Sequence, residues 1–483
     1  MSEWVLRVLL AAAPTLDAQA VVEEAIAHNP LVEAAIFDLK KAEQDLGAEG
    51  YRYYPSLLVA AGATHLQSPS LLSGNGTTVQ TSDNYQLASE LRHTFSFGTA
   101  LALRVEGTRF GGQSQFGAGG NQLVILGPGY NLLGKLSLTQ PLLRGLGNQI
   151  GEAALRQARL SRTAAEHARD QAASQVLRDV LVAYWELWYN QRAVQIERSA
   201  FELAVRQKDD ALARIGIGAL AQVDAYTFET RVAELEQSLA AAEATAEAQS
   251  VELARGLGRG EGTGPLTPGD LVVPTVEART LAQEVDRALE ASAELQRLRT
   301  QLEVALDQAM VAGESERPRL DLDAYLQAQG LGNQEIPPAL QQLFGLEAVS
   351  ARVGLTLELP LTGSRYQATK ESAGLAASAA RSRLLSSEQQ LRASCATEVV
   401  RLEQARRRVT LATRTVELAT KSVAAQEERY QQGDAILLQV YEAQDTLRRA
   451  QLSLERSRVD AVQASLRLDH LTGVLLSTAV GGD

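Results

Sequence analysis

The chain has 483 residues with 13 prolines and 5% aromatics, and its Ala-, Leu-, Arg-, Glu- and Gln-rich text points to long helices with small contact residues. A formal net charge of -12 with both signs interspersed gives a nucleic-acid surface no support, and a single cysteine, Cys395, excludes an internal disulfide. No run of about 20 apolar residues is present, which rules out a transmembrane helix and leaves membrane strands open.

The opening stretch MSEWVLRVLLAAAPTLDAQA has two readings. VLRVLLAAA resembles a short signal-peptide core, but Glu3 stands where positive charge is expected and Arg7 interrupts the apolar run. Residues 1–15 are therefore either an export-signal remnant or an N-terminal extension that begins a helix. A helix is expected from Leu16 to about Tyr54, broken at Asn29-Pro30, where proline suits the first turn of a new helix. After Pro55, LLVAAGATHL alternates with period two and reads as a strand over about 56–65. The text around residues 84–110, NYQLASELRHTFSFGTALALRVEG, alternates across a turn at Ser96–Gly98 and reads as an added hairpin. It either extends the outer side or adds strands to a barrel. A strand over about 129–139 then ends in LSLTQPLLRG, and a very long helix starts near Gln149 and reaches Arg214. Near Gly218 it reverses into a partner helix.

The order then repeats. LTLELPLTGS echoes LSLTQPLLRG, which aligns Pro360 with Pro141. Arg214, Gly218 and Tyr226 of RIGIGALAQVDAY align with Arg429, Gly433 and Tyr441 of RYQQGDAILLQVY at one constant spacing, and AIAHNPLV loosely matches ALEASAEL. Residues 16–265 and 266–483 thus form two structural repeats, the first carrying about 44 extra residues between its opening helix and its strand-proline element. In the second repeat a helix is expected from Leu281 to about Glu316, strands over about 319–328 and 350–359, and a long helix from Tyr366 that reverses near Gly433.

The long helices carry coiled-coil seams. Leu447, Leu454, Ala461 and Leu468 recur every seven residues, with Ala450, Ser457, Ala464 and Leu471 between them. Leu177, Leu181, Tyr184 and Trp188 follow a similar spacing, and the cluster AYWELWYN reads as packing rather than cofactor binding. Cys395 reads as a buried, inert thiol.

Strands of about ten residues are near the length that crosses a bilayer when tilted. Four of them leave open edges and are too few to close a barrel, so several protomers would share one. Pro141 and Pro360 would then mark strand-to-helix junctions, since proline ends ladder bonding and suits a helix's first turn. A soluble helical rod with a small β cap is the plainer alternative.

The element order, the Asn29-Pro30 break, the QPLLRG return, the RYQQG…Y turn and the terminal LDHLTG together resemble the TolC-type outer-membrane efflux family. The resemblance covers nearly the whole chain. It implies an α+β membrane protein, internally duplicated, whose antiparallel strands form part of a shared trimeric β-barrel joined to a long α-helical coiled-coil tunnel. It also implies a homotrimer in which each protomer gives four strands to a twelve-stranded barrel in outer-membrane lipid, with a periplasmic extension. The partners it implies are a periplasmic adaptor and an inner-membrane transporter, and its function is efflux or type I secretion. A non-channel coiled-coil scaffold of the cell envelope is the competing reading.

No catalytic constellation accompanies this. His28, His65, His93, His167 and His470 lack metal-ligand spacing, and no H-E-x-x-H, CxxC or G-x-S-x-G occurs. GLGRGEG completes no phosphate-binding pattern and reads as a helix end and turn. No enzyme activity, cofactor, metal site or nucleic-acid partner is expected.

By motif position, the resemblance places adaptor-docking tips at Gly218, Ala219 and Leu220 and at Gly433, Asp434 and Ala435. It places a periplasmic gate at Asp224, Gln439 and Glu442. Of the two acidic positions in the family's constriction, Gln439 has lost its charge and Glu442 keeps it. Asp224 matches the aspartate of the family's closing link, but Ala435 stands at the arginine position, so that latch is missing or rebuilt.

Overall fold

The structure, a computed structural model, describes residues 15–72, 76–116, 122–217, 221–259, 265–269, 273–359, 365–432 and 434–476. In chain order, β1 (Thr15–Leu16), α1 (Ala18–His28) and α2 (Pro30–Tyr51) lead to four strands. These are β2 (Ser56–Leu72), β3 (Gly76–Thr94), β4 (Ala100–Phe116) and β5 (Gln122–Pro141). A short α3 (Asn148–Gly151) precedes α4 (Ala153–Gly216), of 64 residues, and α5 (Gln222–Gly256). The order then runs again through β6 (Thr267–Pro268), α6 (Leu281–Ala291), α7 (Ala293–Ser315), β7 (Arg319–Asn333), α8 (Pro337–Phe344) and β8 (Val349–Glu358). It ends with α9 (Arg365–Gln432), of 68 residues, and α10 (Leu437–Leu471).

Two compact units cut across this order. One comprises Met1–Lys40, Thr163–Arg299 and Ser382–Asp483; the other comprises Lys41–Arg162 and Thr300–Arg381.

The first unit is helical, with β1 and β6 paired in parallel beside its core, where Leu16 and Leu266 are buried. Asp17 caps α1, its carboxylate accepting the Ala18 N–H at 2.7 Å. At the Asn29-Pro30 break, the Asn29 side chain accepts the Leu31 N–H at 2.9 Å and donates to the Gly256 carbonyl at 2.7 Å. Pro30 begins α2, where no intrahelical N–H is required. Glycine serves the same purpose in both repeats: Gly258 and Gly473 both adopt positive φ, and a Cβ there would lie 2.4 Å from the His28 carbonyl oxygen and 2.5 Å from that of Ala291, respectively. The end of each long hairpin thus packs against the end of its own repeat's opening helix.

Leu177, Leu181, Tyr184 and Trp188 of α4 are buried together with Val21, Val32, Leu253, Leu257, Val459 and Val462. The Tyr184 hydroxyl donates to the Leu16 carbonyl at 3.1 Å, and burial pushes its pKa up to about 12. On α10, Ala450, Leu454, Ser457, Ala461, Ala464 and Leu468 are buried as the heptads require, with Leu402 of α9 packed on Ala464 and Leu468. Cys395 is fully buried and its thiol is pushed up by that burial, as an inert cysteine should be.

The second unit is built on one antiparallel sheet ordered β2-β3-β4-β5-β7-β8. It corrects two expectations. Among the described residues all strands of this sheet but β8 run 15 to 20 residues rather than about ten, and the text around residues 84–110 falls in β3 and β4 of the same sheet, which thereby holds six strands. The proline junction also differs. Pro141 ends β5, but α3 begins only at Asn148, after Gly145 and Gly147 have turned the chain through positive φ. Pro141 therefore closes a strand without opening a helix. Pro360 lies outside the described residues.

Candidate functional site

The sheet has two chemically different faces. Successive side chains of a strand point to opposite sides, so the register assigns each residue to one of them. Leu57, Leu91, Leu103, Leu136, Leu326 and Ala351 are paired in sequence and form one row across all six strands. Val59, Ser89, Val105, Gly134, Ala328 and Val349 form a parallel row on the same face. Most of these large side chains are exposed, Leu57 at 66% and Leu326 at 52%. Past the row Ala61, Leu87, Gly107, Leu132 and Gly330, the following row outward holds Tyr85, Arg109 and Tyr130, with the Arg109 guanidinium 5.5 Å from the Tyr85 ring centre. Beyond it, His65 and Asp83 pair at 2.6 Å.

The opposite face is polar. One row runs Leu58, Glu90, Arg104, Lys135, Gln327, Ser350, so Leu58 is its exception, on the edge strand. Arg104 pairs with Glu106 at 2.6 Å and with Glu90 at 3.6 Å. At the helix-side end Asp323 accepts from Thr139 and from Thr356, both at 3.1 Å. An exposed apolar face backed by a charged one is the pattern of a wall between hydrocarbon and water.

The helical unit carries the second group of candidate residues, around the turns between α4 and α5 and between α9 and α10. Gly218, Ala219, Leu220 and Gly433 lie outside the described residues. Asp224 lies in the first turn of α5. Asp434 closes α9: its N–H donates to the Arg429 carbonyl at 2.9 Å, and the Arg429 guanidinium returns a bond to the Asp434 carbonyl at 3.2 Å. Asp434 is exposed and Ala435 half-buried. Apolar side chains flank both turns in the open, Ile217, Val223 and Tyr226 at the first, Ile436 and Leu438 at the second. Gln439 and Glu442 both lie exposed on α10.

One feature here escaped sequence reasoning. Arg231 of α5 makes a two-pronged ion pair with Asp445 of α10. Arg448 approaches Asp445 at 3.6 Å and donates to both carboxylate oxygens of Glu197 on α4, at 2.7 and 2.8 Å. The Arg231 guanidinium also lies 5.6 Å from the Tyr441 ring centre, and that ring meets Phe228 edge-on at 6.1 Å. Burial pushes the Tyr441 phenol up to about 12. The network ties the hairpin of the first repeat to that of the second. Its members read as ordinary helix-surface charges because their partners lie far away in the chain.

Residues 285–474 match the family model described as outer membrane efflux protein. No curated protein matches the sequence. Among solved structures, the chain is similar to the outer membrane protein VceC of Vibrio cholerae, at 20% identity and a TM-score of 0.67 over 94% of this chain and 96% of that one. It is similar to the CmeC outer membrane channel of Campylobacter jejuni at 12% identity and a TM-score of 0.68, over 95% and 85% of the two chains. The MtrE outer membrane channel of Neisseria gonorrhoeae aligns at 16% identity with a TM-score of 0.64, over 95% and 89%. The resemblance drawn from the sequence holds, and the chain has the fold of these channels.

Proposed function

We propose that this chain, which carries an outer membrane efflux protein match over residues 285–474 and the fold of the outer membrane channels, is one protomer of a trimeric outer-membrane channel. It passes substrate outward from a periplasmic adaptor and an inner-membrane transporter. The observation that carries this reading is the sheet: one face apolar and exposed in a row across six strands, covered by α8 over Gly134 and Gly330, the other charged, with β2 and β8 left as open edges. Lipid tolerates no open edge, so neighbouring copies must complete the wall. Among the described residues no helix is long and apolar enough to cross a membrane, which leaves the sheet as the element that does so.

The turns between the long helices are the docking tips in this reading. Gly218, Ala219, Leu220, Gly433, Asp434 and Ala435 meet the adaptor, and the exposed Ile217, Tyr226, Ile436 and Leu438 support an apolar contact there. Asp224, Gln439 and Glu442 belong to the periplasmic gate, with Glu442 as the charged group of its constriction and Asp224 at the closing-link position. The Arg231–Asp445 pair supplies a link between the two repeats where the family's arginine position holds Ala435.

Membrane fractionation with native mass spectrometry tests the proposal. The protein is expected in the outer-membrane fraction, resistant to urea stripping, with a detergent-extracted mass three times that of the chain. A folded monomer washed off by urea would favour the scaffold reading instead.

A further inference from the structure

We infer that the added hairpin β3–β4 is part of the barrel wall itself, so that each chain supplies six strands and a trimer closes an eighteen-stranded barrel; the total rests on the trimeric reading above.

The hydrogen-bond ladder carries the first argument. β2 pairs with β3 along its whole length, from Ser56↔Arg92 to Leu72↔Gly76, and β4 pairs with β5. In the strand order β2 reaches β5 only through the hairpin. Lifting β3 and β4 out of the wall would orphan the ladder of β2 on one side and of β5 on the other, which hydrocarbon penalises because it holds no water to replace the lost bonds.

Side-chain pattern is independent of that pairing and agrees with it. Leu91 of β3 and Leu103 of β4 stand inside the leucine row, between Leu57 and Leu136. Leu87 and Val105 add to the same face, exposed at 60% and 51%. On the other face the hairpin contributes Glu90, Arg92, Arg104 and Glu106. A hairpin standing in water outside the membrane has no need of an apolar face continuous with its neighbours.

The inner turn of the hairpin is also fastened to the wall's rim. The Phe95 N–H donates to the Thr99 carbonyl at 2.8 Å, and the Gly147 N–H donates to the Phe97 carbonyl at 3.2 Å. Thr99 is buried and bonded to the Gln140 side chain. Gly98 adopts a φ of +96°, and a Cβ there would lie 2.6 Å from the Gly145 carbonyl oxygen. The LLRGLG segment after Pro141 is therefore shaped to receive this turn.

Closure follows from strand direction. Adjacent strands alternate, so with an even number per chain the β8 edge of one copy runs antiparallel to the β2 edge of the next. Six strands satisfy this as four do. At a spacing of about 4.8 Å and a tilt of about 40°, eighteen strands enclose a radius of roughly 18 Å, against roughly 12 Å for twelve.

Spin labels read the arrangement directly. In a Cys395→Ala background of the full chain, reconstituted in liposomes, single labels are placed by Leu87→Cys and Leu103→Cys on the apolar face and by Gln86→Cys and Thr108→Cys on the polar face. Collision with oxygen and with a water-soluble nickel chelate is then measured. The wall arrangement predicts an oxygen-to-nickel accessibility ratio several-fold higher at 87 and 103 than at 86 and 108. Equal, water-like accessibility at all four sites in an intact trimer overturns the inference and leaves the channel reading standing. Failure to form a trimer, measured by native mass on the same samples, overturns both.

Discussion

Glu442 is the residue at which the proposed gate is most exposed to test. It lies exposed on α10, beyond the second turn, and in the proposed trimer three copies about the axis would make a negative constriction that favours cations. Glu442→Gln is expected to reduce the cation preference and the block by multivalent cations in bilayer recordings, with trimer yield unchanged. Identical selectivity and block in a correctly assembled trimer would remove it from the gate. His470 offers a different test. Burial holds its imidazole down to about 4 from an ordinary 6.5, with Arg178 pushing the same way, Asp179 opposing, and the Ser174 hydroxyl bonded to Nδ1 at 2.8 Å. His167 and Asp170 line the same cavity. As pH falls from about 6.5 towards about 4, the unfolded chain takes up a proton that the folded chain refuses, so stability drops across that window and is unaffected above it. His470→Gln should flatten this part of the pH dependence of the thermal midpoint, leaving the steeper acid loss from paired carboxylates such as Glu24, which Arg259 holds below its usual range. A midpoint curve identical to that of the parent protein between pH 4 and 6.5 would count against the buried neutral imidazole.

At the scale of elements, one link between the two repeats joins α5 to α10. Arg231 and Asp445 keep little exposure, 13% and 24% of their side chains, so removing one partner leaves a poorly solvated charge. Arg231→Met and Asp445→Leu should each cost about 1–3 kcal/mol, and the double variant less than the sum of the two. Thermal denaturation in detergent checks this; strict additivity would mean that the pair is not coupled. Sequence periodicity revealed the helices that carry these residues, because seven-residue spacing of Leu447, Leu454, Ala461 and Leu468 is a local signal. It could not reveal the pair, since neither residue breaks the charged pattern of its own helix surface. Strand ends were equally illegible. Ser, Thr, Gln and Gly continue β2, β3 and β7 past the apolar core of each strand, where propensity reads a turn but ladder pairing extends the strand.

For the whole molecule, duplication was legible because aligned turns, prolines and glycines recur in one order, and Gly258 and Gly473 show that order meeting the same physical need twice. The position of the hairpin was not legible. Alternation is the same for a hairpin in a wall and one standing beside it, and only register distinguishes them. The compact units were also hidden, since each draws on three or two separate stretches of chain. The central claim, that copies of this chain close a water-filled passage through an outer membrane, is tested most directly by single-channel recording. Purified trimer added to a planar bilayer should produce discrete, ohmic conductance steps of uniform size. Protein that inserts into the same bilayer lipids, by flotation with vesicles, yet passes no current above the bare membrane would contradict the account.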